Sequence, residues 1–180
     1  MIDFRKKVMF IHISKTGGTT MKVMIGRYFK FEHSKWHMSY SQLKNLISKD
    51  EIDDFYKFTI VRNPWSRFVS IYQYYYIKHR SKDFWNNERW DLPFEEWLTF
   101  IFSDSFNRNL QHQGLNTFKY HFHQINFLKD ESDGTINLSR ILRTESYKDD
   151  YSALCKDIEI TEDKLLHENK TDHKFYQEYY

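Results

Sequence analysis

Twice in its first half the chain runs an apolar stretch of strand length straight into the start of a helix, and that pairing constrains the fold most. The first instance is "FIHISKTGGTT", Phe10 to Thr20. Val8 to Ile13 is short, apolar and β-branched, the pattern of a buried strand. Gly17 and Gly18 permit a tight turn with backbone N–H groups facing outward, and Lys15 adds a positive charge beside them. Met21, Met24, Ile25, Tyr28 and Phe29 then recur at helical spacing and give one apolar face. A strand, a glycine turn and a helix N-terminus form an anion site, most often for phosphate. The plainer alternative is a surface turn with a solvated lysine. Residue order rules out the Walker A signature, because there the lysine follows the glycines and here it precedes them.

The second instance is "FTIVRNPWSRFVSIY", Phe58 to Tyr72. Tyr56 to Val61 reads as another buried strand, ending on Arg62-Asn63-Pro64. Asn63 is a good N-cap and Pro64 a good first helical residue, so a helix starts at once. Phe68, Ile71, Tyr72, Tyr75 and Tyr76 form its apolar face, with Asn63, Ser66, Arg67, Ser70 and Tyr74 on or near the other. Arg62 leaves a strand end beside a helix N-terminus, where a guanidinium can hold phosphate oxygens bidentately. Ser70, two turns along, could add a hydroxyl hydrogen bond. Taken singly, an Arg62–carboxylate pair and an exposed helix serine explain the same residues. Two such sites at the carboxyl edge of one parallel sheet point instead to one doubly charged nucleotide.

The remaining segments fit an α/β chain. Ser39 to Gln42 forms a capping box that opens a helix carrying Leu43, Leu46 and Ile47. Lys78 to Leu92 reads as a loop, and a helix after Pro93 packs Phe94, Trp97, Leu98 and Ile101. Ile125–Leu128 and Ile136–Leu142 suggest two short strands around a turn at Asp130–Gly134. Tyr147 to Asp157 reads as helical or irregular. Apolar strands with helical crossovers predict a parallel sheet. No repeat or Pro/Gly-rich linker interrupts the chain, so a single domain over residues 1–180 is expected.

Composition narrows the functional classes. An aromatic content of 19% excludes a disordered chain, and a net charge of +2 supplies no global field for nucleic acid. The single cysteine, Cys155, excludes an internal disulfide and a Cys-based zinc site, and reads as a small buried hydrophobe. Met1 to Lys7 is charged, and the apolar run after it is too short for a signal peptide. No stretch reaches transmembrane length, so a soluble, cytoplasmic protein is expected.

"FIHISKTGGTT" resembles the 5′-phosphosulfate loop of sulfotransferases that use 3′-phosphoadenosine 5′-phosphosulfate (PAPS), and "VRNPWSRFVSIY" resembles their 3′-phosphate motif. The chain is most similar to the carbohydrate sulfotransferase branch that holds the heparan sulfate 2-O- and 6-O-enzymes. "HMSYSQL" (His37–Leu43), "HQINFL" (His123–Leu128), "RTE" (Arg143–Glu145) and "LLHENKTDHKFYQEYY" carry the resemblance over nearly the whole chain. It implies a P-loop-like three-layer α/β fold, with a short central parallel sheet flanked by helices. It also implies that Lys15, Thr16, Gly17, Gly18, Thr19 and Thr20 bind the 5′-phosphosulfate, while Arg62 and Ser70 bind the 3′-phosphate. Asn169 and Lys170 match positions near the nucleotide or acceptor. The partners implied are PAPS and a hydroxyl acceptor, expected to be a glycan, with no metal. Members of this branch usually continue past the "YQEYY" region into another helix. This chain stops at Tyr180, which leaves both a natural short form and a trimmed chain open.

Sulfuryl transfer, like phosphoryl transfer, is governed by in-line geometry and charge stabilisation. Lys15 and the loop N–H groups are placed to stabilise charge on the departing nucleotide oxygen. The acceptor hydroxyl needs a base, and nine histidines compete for that role. His37 is the first candidate, because it precedes the capping box and the resemblance associates a histidine near this point with the acceptor. An ordinary loop histidine is the competing reading. His33 and His121 are reserves, His12 within the strand reads as structural, and His121 with His123 makes a lone His-x-His rather than a metal pair. Trp85, Trp90 and Trp97 offer either sugar-stacking faces or core. Two rival functions share the strand–loop–helix logic: a P-loop nucleotide kinase, and a catalytically silent module that binds nucleotide or anionic glycan.

Overall fold

The computed structural model describes residues 1–32, 37–74, 92–103, 123–161 and 176–179. In chain order its elements are β1 (Ile2–Asp3), β2 (Val8–Ile11), α1 (Gly18–Ile25), α2 (Tyr40–Lys44), β3 (Tyr56–Val61) and α3 (Pro64–Ile71). They continue with α4 (Phe94–Ile101), α5 (Ile125–Leu128), β4 (Arg140–Arg143) and α6 (Tyr147–Asp157). The chain divides into two compact units, Met1–Arg62 with His123–Asn169, and Asn63–Phe122 with Lys170–Tyr180.

The first unit is built on one mixed sheet of strand order β1-β2-β3-β4 among the described residues. The expected parallel pairing is present. β2 lies parallel to β3 with Ile11 opposite Thr59, and β3 lies parallel to β4 with Val61 opposite Arg143. β1 runs antiparallel to β2 at one edge. Period-2 alternation places Phe10, Phe58, Ile60 and Leu142 in a core shared with Met21, Met24 and Ile25 of α1 and Tyr151, Leu154 and Cys155 of α6. Phe10 and Phe58 stack across the strand pair at 4.7 Å. Each such fully buried side chain stabilises the fold by roughly 1.5–3 kcal/mol. The alternate residues Met9, Ile11 and Thr59 are buried too, and α2 lies beside β2. A strand pair covered in this way needs the near-continuous apolar runs seen in the sequence.

The second unit packs α3 against α4. Val69, Ile71, Tyr72, Phe94, Trp97 and Ile101 form its core, with Tyr176 and Tyr179 against it. Tyr72 meets Phe94 edge-on at 5.3 Å and hydrogen-bonds the Leu92 carbonyl. Trp97 is fully buried here, so it is core and not a sugar platform.

Several expectations are corrected. The first strand stops at Ile11, and His12 and Ile13 lie between it and the turn. Helix α1 starts at Gly18 and ends at Ile25; Tyr28 and Phe29 lie in the following turn yet still pack on the core. α2 ends at Lys44, and Leu46 is exposed. Ile125–Leu128 is a helical turn, because Phe127 and Leu128 bury on one side while Ile125 faces solvent. The strand expected over Ile136–Leu142 is β4, Arg140–Arg143. Arg67 and Ser70, expected on a polar face of α3, are both buried. Tyr75, Tyr76, Trp85, Trp90 and the Lys78–Leu92 loop except its last residue lie outside the described residues. No helix among the described residues is long and apolar enough to cross a membrane.

Candidate active site

The loop from β2 to α1 is a tight turn that leads straight into the helix. Thr16 is buried, and its hydroxyl donates to the Ile13 carbonyl at 2.9 Å, which tightens the turn. Lys15 at φ +64° and Gly17 at φ +85° both occupy the left-handed region; for lysine this is a strained state of the kind that collects at functional sites. Gly17 caps α1 without a side-chain cap, and the first turn holds no acidic residue. The leading N–H groups of the helix, through Thr19 and Thr20, therefore have no carbonyl partner within it and carry the positive end of its dipole.

Two donors from beyond β4 hold the loop from outside. The Thr144 hydroxyl lies 2.9 Å from the Thr16 carbonyl and 3.1 Å from that of Val61. The Tyr147 hydroxyl donates to the Gly17 carbonyl at 3.3 Å, and burial pushes this phenol up, so it stays a donor at neutral pH. In a planar trans peptide the N–H opposes the C=O. Anchoring the carbonyls of Thr16 and Gly17 thus turns the N–H groups of Gly17 and Gly18 away from the anchors. Neither donor was singled out from sequence, although "RTE" lies in a segment that carried the resemblance.

Gly18 is required for a different reason. A Cβ there would stand 2.0 Å from Cδ2 of His12. The His12 ring is buried, stacks on Phe10 at 5.5 Å, and is pushed by desolvation, with the charge of His37 a lesser cause, down to about 3. It is neutral at physiological pH. The unfolded chain takes up a proton near 6.5 that the native chain refuses, so stability is complete above that pH and falls as pH drops toward 3. The slope approaches about 1.4 kcal/mol per pH unit. Urea melts at several pH values between 6.5 and 4.5 check this: His12→Asn will lose less stability on acidification than the wild type. Equal losses would contradict the buried neutral ring.

His37 lies against His12. Their ring centroids are 4.7 Å apart, and Nδ1 of His37 is 3.0 Å from the His12 carbonyl oxygen. A carbonyl only accepts, so this contact assigns the proton to Nδ1 and, in the neutral ring, leaves the lone pair on Nε2. His37 sits at φ +67°, two residues before the Ser39 cap of α2. Both reciprocal bonds of the expected capping box are formed, Gln42 N–H to Ser39 Oγ at 3.3 Å and Ser39 N–H to Gln42 Oε1 at 2.9 Å.

Arg62 follows β3 directly. Its Nη1 lies 3.4 Å from the Lys15 carbonyl, which brings the second cation to the loop of the first. Burial pulls its pKa down and the charge of Glu145 pushes it back up, while the group stays cationic at neutral pH. The side-chain amide of Gln124 pairs with the Arg62 backbone.

The first unit therefore assembles Lys15, Thr16, Gly17, Gly18, Thr19, Thr20, Arg62 and His37 around adjacent parallel strand ends. Ser70 is a buried residue of α3 in the second unit. His33, His121, Asn169 and Lys170 lie outside the described residues. The chain matches, over residues 1–178, the model of a family described as the sulfotransferase family. No curated protein and no solved structure matches it.

Proposed function

This chain belongs to the sulfotransferase family, and from that premise we propose that it moves the sulfuryl group of PAPS to a hydroxyl of a carbohydrate. The observation that carries the reading is the loop at the end of β2. A strained Lys15, the leading N–H groups of α1 and the Arg62 guanidinium lie at the ends of two adjacent parallel strands. The acceptor class rests on the resemblance of the motifs to the heparan sulfate 2-O- and 6-O-branch.

In this reading the backbone N–H groups from Gly17 to Thr20 hold the 5′-phosphosulfate. Lys15 meets the charge that develops on the bridging oxygen as the S–O bond breaks. Nε2 of His37 takes the acceptor proton as its oxygen bonds to sulfur from the opposite side. Arg62 and Ser70 hold the 3′-phosphate, and Lys170 contributes at the nucleotide. PAPS brings the activated sulfuryl group; the chain's own work is to grip it, orient it and receive a proton.

The 3′-phosphate assignment makes the reading testable by calorimetry. The wild type will bind adenosine 3′,5′-bisphosphate more tightly than adenosine 5′-phosphate. A charge-assisted contact is worth roughly 1.5–3 kcal/mol, so Arg62→Ala will lose about tenfold or more on the bisphosphate and little on the monophosphate. Equal wild-type affinity for the two nucleotides would overturn the assignment.

A further inference from the structure

We propose that Gln124 is a positioning residue for Arg62 and thereby sets the preference of the site for a nucleotide with a second, ribose-bound phosphate; this rests on the function proposed above. The ladder between β3 and β4 ends at the pair Val61–Arg143. Arg62, one residue further, has lost its strand partner, yet its backbone is bonded on both sides. Its N–H donates to Gln124 Oε1 at 2.9 Å, and Gln124 Nε2 donates to its carbonyl at 2.8 Å. A side-chain amide offers the same donor and acceptor as a peptide group. Gln124 thus extends the sheet edge by one residue where no strand continues.

The clamp is itself anchored. Gln124 opens the helical turn α5, whose Phe127 and Leu128 are buried in the first unit. The fixed backbone gives the Arg62 side chain a defined origin, from which its guanidinium reaches the Lys15 carbonyl. A carboxylate at position 124 would keep the acceptor for the Arg62 N–H but lose the donor to its carbonyl. Asparagine, one methylene shorter, shortens the reach of both.

The test is the ratio of affinities for adenosine 3′,5′-bisphosphate and adenosine 5′-phosphate, measured by calorimetry. It uses the wild type, Arg62→Ala, Gln124→Met, Gln124→Glu and the double variant Arg62→Ala/Gln124→Met. Methionine preserves length and removes both hydrogen bonds. Gln124→Met will lower the ratio about threefold to tenfold with monophosphate affinity unchanged, and Gln124→Glu will fall between it and the wild type. In the Arg62→Ala background Gln124→Met will change nothing further, since the two act as one unit. A merely structural role would weaken both nucleotides alike and leave the ratio intact. A wild-type ratio that both Gln124 variants keep overturns this inference alone, as does an undiminished effect of Gln124→Met without Arg62. A wild type with no preference overturns the nucleotide reading and this inference with it.

Discussion

Lys15→Ala will abolish sulfuryl transfer, with turnover down by at least about 10²–10³, the cost of removing one preorganised donor from a developing oxyanion. In the proposed reaction the substitution removes a full charge where the leaving nucleotide gains one, so the loss falls at the upper end of that range or beyond it. The fold will survive. The neighbouring Thr16 and Gly17 carbonyls are held by Thr144 and Tyr147, and neither contact involves the lysine side chain. Lys15→Arg will not restore activity, because a planar fork on a strained backbone presents its charge at a different distance. Single-turnover rates with labelled PAPS, together with melting temperatures, check this. A Lys15→Ala protein that turns over within tenfold of the wild type would remove the lysine from the chemistry.

Substitution of His37 will cost about 10²–10⁴ in turnover, the usual contribution of a general base, while nucleotide affinity stays near that of the wild type. The informative variant is His37→Asn. Asparagine tolerates the φ of +67° and can still donate to the His12 carbonyl, but it has no basic nitrogen. Loss of turnover with intact stability and PAPS affinity therefore isolates proton transfer from positioning. Retained turnover in His37→Asn, with loss in a His33 or His121 variant, would move the base there and leave the nucleotide site as proposed.

The parts of the fold that were legible in the sequence are those fixed by local rules. β3 occupies the expected Tyr56–Val61, the Ser39–Gln42 capping box is formed on both sides, and Asn63-Pro64 opens α3. Tyr147–Asp157, which reads as helical or irregular, is the helix α6. Each depends on neighbours within a few residues. Ile125–Leu128 is a helical turn and not the expected strand because a four-residue segment with three apolar side chains fits either, and periodicity does not separate them. Arg67 and Ser70 were misplaced because amphipathic patterning assigns polar residues to solvent, whereas both are covered.

At the candidate site, the placement of the residues proposed for chemistry was legible and that of their supports was not. Lys15, the glycines and Arg62 stand at strand ends that the sequence marks by composition. Thr144, Tyr147 and Gln124 act on backbone atoms 128, 130 and 62 residues away, a relation that only the assembled fold creates. Gly17 and Gly18 were both read as turn glycines. Gly17 is one, at positive φ, but Gly18 is required because the His12 ring occupies the space of its Cβ. His12, read as structural, is indeed buried, and it is also the residue whose carbonyl fixes the tautomer of His37.

The measurement that bears most directly on the whole account is acceptor-dependent release of adenosine 3′,5′-bisphosphate from PAPS. Wild type and Lys15→Ala would be compared across a panel of glycans and small alcohols and phenols. The account predicts that the wild type releases bisphosphate in step with sulfation of a glycan hydroxyl, and that Lys15→Ala does not. No release with any acceptor in the panel, or equal release by the two proteins, would contradict it.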